Sequence, residues 1–234
     1  MPEALAAARP LPVSVVLFDL DGTLADSAGD LALALNRIRR ARGMEPVPPE
    51  ELRPYASSGA RGLLHRGMGI TPDHPEYAAL RETFLANYEQ CLDETTTLFA
   101  GMDTMLDDIE ARGLRWGIVT NKYMRFTERV LAALELQSRA AIVVAGDTTP
   151  HSKPHPAPLL HAASHLQVAA ASCVYVGDDL RDVEAGNAAG MATIVAGYGY
   201  MGVGGDPRHW PATGWIDRPL DLRDWLPAKG NSPR

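Results

Sequence analysis

Val13-Ser14-Val15-Val16-Leu17-Phe18-Asp19-Leu20-Asp21-Gly22-Thr23-Leu24 is an apolar run that stops at two acids, a glycine and a hydroxyl. Its length and β-branched content suit a strand buried on both faces. Residues i and i+2 of a strand share a face, so Asp19 and Asp21 leave the sheet pointing the same way. Gly22 lets the chain turn sharply and frees backbone N–H groups to face a ligand. Two carboxylates held that close repel each other unless a cation or a shared proton lies between them. The loop thus combines the makings of a nucleophile, a general acid/base and a metal site. Alone it is also an ordinary Asp-Gly turn, and the rest of the chain decides between the two.

Beyond residue 98, apolar runs alternate with helix-like segments. Strands are expected at 114–119, 141–145, 172–176 and 192–195, and helices at 125–136, 157–166 and 181–189. Continuous apolar strands alternating with helices predict an α/β fold, a parallel sheet covered on both faces, with residues 13–18 as its first strand. Residues 28–97 differ. Leu31, Leu35 and Ile38 share one helical face, and Tyr77, Leu80, Phe84 and Tyr88 another, while six prolines from Pro46 to Pro75 cut the segment into short helices. The expected organisation is a core of residues 1–26 and 98–234 with an inserted all-helical cap of residues 27–97. The hinges are expected at 25–29 and 95–101.

Composition narrows the function. With 234 residues, 46% of them hydrophobic, the chain can bury a sizeable core. A net charge of −7 disfavours nucleic-acid and anionic-membrane partners. Two cysteines, Cys91 and Cys173, are too few for a disulfide framework or a structural zinc site. The Ala-rich N-terminal stretch lacks a basic leader, and no apolar run is long enough to span a bilayer, so a reducing, cytoplasmic setting is expected. The last four residues are expected to fray. Of the 22 basic residues only Lys122, Lys153 and Lys229 are lysines, and the first two adjoin polar clusters.

Those clusters end strands. Asp19-Leu20-Asp21-Gly22-Thr23 ends the first, Thr120-Asn121-Lys122 the second, and Gly177-Asp178-Asp179-Leu180-Arg181-Asp182 a later one, while His151-Ser152-Lys153-Pro154-His155-Pro156 precedes a helix. In an open parallel sheet such ends meet in one crevice. Together they hold the parts phosphoryl transfer needs. Asp19 can attack phosphorus, and Asp21 can protonate the leaving oxygen and then activate water. Asp178 offers oxygen to a hard cation such as Mg2+. The Thr120 hydroxyl and the N–H groups of Gly22 and Asn121 can hold phosphoryl oxygens, and Lys153 can balance charge. Plainer readings stand beside these: Asp178 and Asp179 as helix caps, Asp182 as first-turn support, the histidines as loop and helix-face residues, the tryptophans as packing.

The segments at 19–23, 120–122, 153–156 and 177–182 resemble, in order, the four motifs of the haloacid dehalogenase superfamily, over nearly the whole chain. The resemblance implies a Rossmann-like core, a Mg2+ cofactor, Asp19 as nucleophile, Asp21 as acid/base, and Asp19, Asp21 and Asp178 around the metal with Asp179 and Asp182 in support. Asp21 separates the chain from the dehalogenases, which lack that acid, and the absence of lysine from residues 27–97 separates it from hydrolases that need a lysine there. Ser57-Ser58-Gly59-Ala60-Arg61, Trp116-Gly117-Ile118-Val119-Thr120-Asn121-Lys122 and Tyr198-Gly199-Tyr200 look most like phosphoglycolate and N-acetylmuramic acid 6-phosphate phosphatases. The implied activity is hydrolysis of a small phosphorylated metabolite, with Arg61 the candidate for a substrate carboxylate. A catalytically silent binding module of the same fold is the alternative. Oligomeric state is not legible.

Overall fold

The computed structural model describes residues 10–203 and 205–228, so the N-terminal Ala-rich stretch and the last four residues lie outside the described residues. Numbered in chain order, β1 (Val15–Phe18) is buried along its whole length. It pairs in parallel with β4 (Arg115–Val119) on one side and β6 (Cys173–Gly177) on the other. β5 (Val143–Val144) extends the first side, and β7 (Ala192–Ala196) and β8 (Gly214–Ile216) the second, all in parallel. The sheet order is β5-β4-β1-β6-β7-β8. Successive strands step outward from β1 to β5, then return to its other side at β6. That reversal places a crevice at the carboxyl ends of β1 and β6.

Alternate residues of β1 feed two apolar layers. Val16 and Phe18 pack under α5 (Met102–Ala111) and α6 (Met124–Ala133). Val15 and Leu17 pack under α7 (Ala157–His165) and α8 (Leu180–Ala188). The sequence reading did not single out α5 or β8. The three residues of β8 carry too little apolar periodicity to announce a strand, and in the sequence Trp215 within it reads only as a packing residue.

Two residues on each side bring the helical insertion out of the core. β2 (Ala25–Asp26) pairs antiparallel with β3 (Thr97–Leu98), where the sequence suggested only hinges. Between them come α1 (Ala28–Ala41), α2 (Pro49–Leu52), a 3-10 turn over Arg53–Ser58, α3 (Gly59–Met68) and α4 (Tyr77–Glu89). Leu31, Leu35 and Ile38 of α1 are buried, as are Leu80, Phe84 and Tyr88 of α4. The outgoing and returning chains are tied by Asp30. Its fully buried carboxylate takes hydrogen bonds from the N–H and hydroxyl of both Thr95 and Thr96, at 2.6–3.0 Å. Four donors offset what burial of that charge costs. The first apolar layer continues into the insertion, where Leu20 and Leu24 join Leu31, Leu35 and Phe84. No helix among the described residues is long and apolar enough to cross a membrane.

Candidate active site

The carboxyl ends of β1, β4 and β6 carry Asp19, Thr120 and Asp178 to one place. Carboxylate oxygens of Asp19, Asp178 and Asp182 all lie within 4.8 Å of one another, and all three residues are buried. One cation stands among them. Lys153 Nζ lies 2.9 Å from Asp19 Oδ1 and 2.7 Å from Asp182 Oδ1, and it donates to the Tyr175 hydroxyl at 2.7 Å. Burial works against the charged lysine, but Asp182 and Asp19 outweigh it and raise its pKa. Asp19 moves the other way from the usual carboxylate. Burial and the nearby Asp182 and Asp21 push it up to about 6, against the pull of Lys153.

Among the described residues Asp178 has no cationic hydrogen-bond partner. Its Oδ1 accepts from the Thr23 hydroxyl at 3.1 Å, and its Oδ2 from the Ser57 hydroxyl at 3.0 Å and the Tyr200 N–H at 2.9 Å. Burial, then Asp182 and Asp19, hold its carboxyl well above the usual range. Three buried acids with one lysine leave negative charge uncompensated, and the donors are all oxygen. A hard divalent cation fits that set.

Asp21, expected among the metal ligands, is not part of this cluster. Its carboxylate is gripped by Lys122 Nζ at 2.7 and 2.8 Å, and the Ser27 hydroxyl donates to it as well. Lys122 also donates to the Tyr88 hydroxyl of α4 at 2.7 Å, so one lysine joins the core acid to the insertion. The third place beside Asp19 and Asp178 falls to Asp182, whose oxygens are already taken by Lys153, by the Tyr175 hydroxyl and by the Asp179 N–H. Asp179 is the N-cap of α8 and accepts from Arg181 N–H at 3.0 Å, and with Asp182 it forms a capping box. The plainer capping reading therefore holds for Asp179.

Gly22 differs from expectation. Its N–H is spent on the Ala25 carbonyl at 2.9 Å, inside the turn, and so does not face a ligand. What the glycine supplies is space: with φ at +86°, a Cβ here would sit 2.2 Å from Asp178 Oδ2. The Asn121 carboxamide bonds the Lys153 backbone in both directions, at 2.9 and 3.0 Å, and holds the lysine's loop against β4. The Thr120 hydroxyl accepts from Lys122 N–H at 3.2 Å, leaving its own proton to donate.

A cavity of about 300 Å³ opens over these groups, with Asp19, Asp21, Thr120 and Lys122 on its core side and residues 56–61, Phe84 and Tyr88 on its insertion side. Arg61 lines it, exposed and with no hydrogen bond or ion pair among the described residues. Sequence reasoning missed Tyr88, Tyr175 and the Thr23 hydroxyl as site residues, and had Ser57 and Tyr200 only as parts of motif-like runs. The scarcity of lysine and the Thr120-Asn121-Lys122 cluster both single out Lys122 in the sequence, but neither names Asp21 as its partner. Nothing local points Ser57 or Tyr200 at an acid more than a hundred or some twenty residues away.

The family model described as haloacid dehalogenase-like hydrolase matches residues 16–196, more than half of the chain. The chain belongs to that family. A phosphoglycolate phosphatase of Xanthomonas campestris pv. campestris is 42% identical over 218 residues, covering 93% of this chain and 97% of the relative. An N-acetylmuramic acid 6-phosphate phosphatase of Pseudomonas aeruginosa is 38% identical over 218 residues, covering 93% and 96%. The crystal structure of a haloacid dehalogenase superfamily hydrolase of Geobacter sulfurreducens superposes with a TM-score of 0.72 at 22% identity, over 94% of this chain and 99% of that one. At that identity the likeness is one of fold, the Rossmann-like sheet with its helices.

Proposed function

We propose that the protein is a Mg2+-dependent phosphomonoesterase for a small, carboxylate-bearing phosphorylated metabolite of the 2-phosphoglycolate type. The observation that carries this reading is the buried Asp19–Lys153–Asp182 chain, with Asp178 beside it, whose Asp19 lines a cavity shared with the insertion. The activities in the names of the Xanthomonas and Pseudomonas relatives support it. The second supports N-acetylmuramic acid 6-phosphate as the other candidate substrate.

Asp19 and Asp178 would hold Mg2+, the natural cation for oxygen ligands beside phosphate. Bound there, it would supply positive charge to offset that of the carboxylates and of the phosphoryl group. Lys153 holds Asp19 in line, and Asp182, fully engaged, holds Lys153. Asp19 attacks phosphorus as the bond to the leaving oxygen breaks, and Asp21 gives that oxygen a proton. Water then attacks the aspartyl-phosphate, Asp21 takes the water's proton, and the bond from Asp19 to phosphorus breaks to release phosphate. Thr120 and the Asn121 N–H donate to the phosphoryl oxygens. The insertion, residues 27–97, acts as a lid that excludes bulk water, and Arg61 faces the far end of the substrate. Buried free thiols at Cys91 and Cys173 suit a reducing compartment, the cytoplasm.

The test is phosphate release from p-nitrophenyl phosphate with Mg2+. Wild type turns over, and Asp19→Asn falls at least about a thousandfold, a loss of the size expected when a nucleophile is removed. Turnover retained in that variant ends the proposed mechanism. No turnover by wild type on any phosphomonoester returns the chain to the silent binding module.

A further inference from the structure

The insertion side of the cavity carries two guanidinium groups, Arg61 and Arg81, and no acid; the carboxylates that line the cavity are Asp19 and Asp21, on the core side. Cations on a cavity wall that carries no acid mark a place for a second anion, apart from the phosphate. The two arginines are not equal. Arg61 is exposed and makes no hydrogen bond among the described residues. Arg81, on α4, donates from Nη2 to the Tyr123 hydroxyl at 2.7 Å, and its guanidinium carbon lies 5.7 Å from the centre of that ring. Its other contact, Glu82 at 2.8 Å, has a side chain 70% exposed and fixes little. Tyr123 therefore orients the fork in advance, and a group ordered before the ligand arrives binds it at lower entropic cost.

Tyr123 directly follows Lys122, so the loop that grips Asp21 also holds Arg81 from across the cleft. Resting on the phosphatase reading above, we propose that Arg81, held by Tyr123, reads a carboxylate at the end of the substrate remote from its phosphate. Phe84, Tyr88 and Phe126 also line the cavity, whose volume of about 300 Å³ is that of about ten waters. That space suits a ring-sized body. Of the two candidate substrates this favours the sugar-sized phosphomonoester bearing a carboxylate over 2-phosphoglycolate, and a ligand bound at both ends ties the insertion to the core.

The experiment compares kcat/KM for N-acetylmuramic acid 6-phosphate and N-acetylglucosamine 6-phosphate, which share a ring and differ by the carboxylate-bearing ether. Wild type favours the first by about thirtyfold or more, the range of a charge-assisted bidentate contact. Arg81→Met lowers that ratio at least about tenfold, Arg81→Lys lowers it less, and Tyr123→Phe lowers it without changing any charge. Because each ratio is internal to one protein sample, a loss of folded protein cancels. The inference is overturned by a wild-type ratio near one, by an unchanged ratio in Arg81→Met, or by collapse of the ratio in Arg61→Met alone. Turnover of p-nitrophenyl phosphate by wild type separates these outcomes from failure of the phosphatase reading itself.

Discussion

Ser57, in the helical insertion, donates its hydroxyl at 3.0 Å to Oδ2 of Asp178, at the end of a core strand 121 residues later. The bond makes the position of the insertion a property felt by a candidate metal ligand. Arg181, beside that ligand, donates in turn to the Ser57 carbonyl at 2.8 Å, so the contact is held from both sides. Groups that orient a metal-binding carboxylate change metal affinity when removed, by about tenfold at the low end. Ser57→Ala leaves Asp178 with Thr23 and the Tyr200 N–H, so the low end applies. The Mg2+ concentration giving half-maximal activity is expected to rise about tenfold. A Mg2+ titration identical to wild type's would show that the insertion does not communicate with Asp178.

Among the described residues Lys153 is the single cation between Asp19 and Asp182, with 3% of its side chain exposed. Removing one partner from such a group leaves buried charge without compensation, at about 3–5 kcal/mol. Lys153→Met is expected to abolish turnover and lower unfolding free energy in denaturant by about that amount. Adding Asp182→Asn removes one uncompensated acid and restores part of the stability, but none of the turnover, because the nucleophile still lacks its holder. Strictly additive losses in the double variant would mean the three residues do not act as a unit.

Asp19 gives the metal-free protein an unusual dependence on pH. Its carboxyl, ordinarily at 3.8, stands at about 6 in the fold, so between those values the folded state binds more protons than the unfolded one. Stability therefore falls as pH rises through that window, by at most about 3 kcal/mol for a shift of this size. Asp178, raised by burial, acts in the same direction. Glu76 and Glu110, held low, lose their contribution only below their ordinary 4.5. Without divalent cations, Tm is expected to rise from pH 7 to pH 5. Saturating Mg2+ should flatten or reverse the trend, because cation and proton compete for the same oxygens. A metal-free Tm that drops over this interval would remove the case for strained, uncompensated acids.

Much of this arrangement could be read from the chain because it rests on short-range pattern. Four-to-six-residue apolar runs mark the parallel strands, and three of the four polar clusters sit at a strand's carboxyl end, where the topology must collect them. What escaped reading depends on contacts between distant residues. Nothing in Asp21 says that Lys122 takes its carboxylate while Asp182 stands beside Asp19. The two-residue strands β2 and β3 carry no period at all; they exist because Asp30 clamps the returning chain beside the outgoing one. In the sequence Gly22 reads as a donor of N–H groups, but backbone closure to Ala25 consumes its N–H and leaves the missing side chain as its contribution.

That contribution can be measured. At Gly22 a Cβ would lie 2.2 Å from Asp178 Oδ2, 2.6 Å from its Cγ and 2.8 Å from Oδ1. Asp178 cannot retreat without breaking its bonds to Thr23, Ser57 and Tyr200 N–H. Gly22 also holds φ +86°, where any side chain adds about 1–2 kcal/mol of strain. Gly69, which ends α3 at φ +69°, has nothing within 4 Å of its notional Cβ and isolates that strain. Gly69→Ala is expected to cost about 1 kcal/mol, and Gly22→Ala about 2–3 kcal/mol more, in the range of overpacking a tight interior. The sharper readout is Mg2+ itself. Mg2+ should raise the unfolding midpoint of wild type and Gly69→Ala and do little for Gly22→Ala, whose Asp178 has been displaced from the ion's place. Equal costs for the two variants, with Mg2+ stabilisation intact in both, would mean that Gly22 serves the turn alone and that Asp178 owes its position to something else.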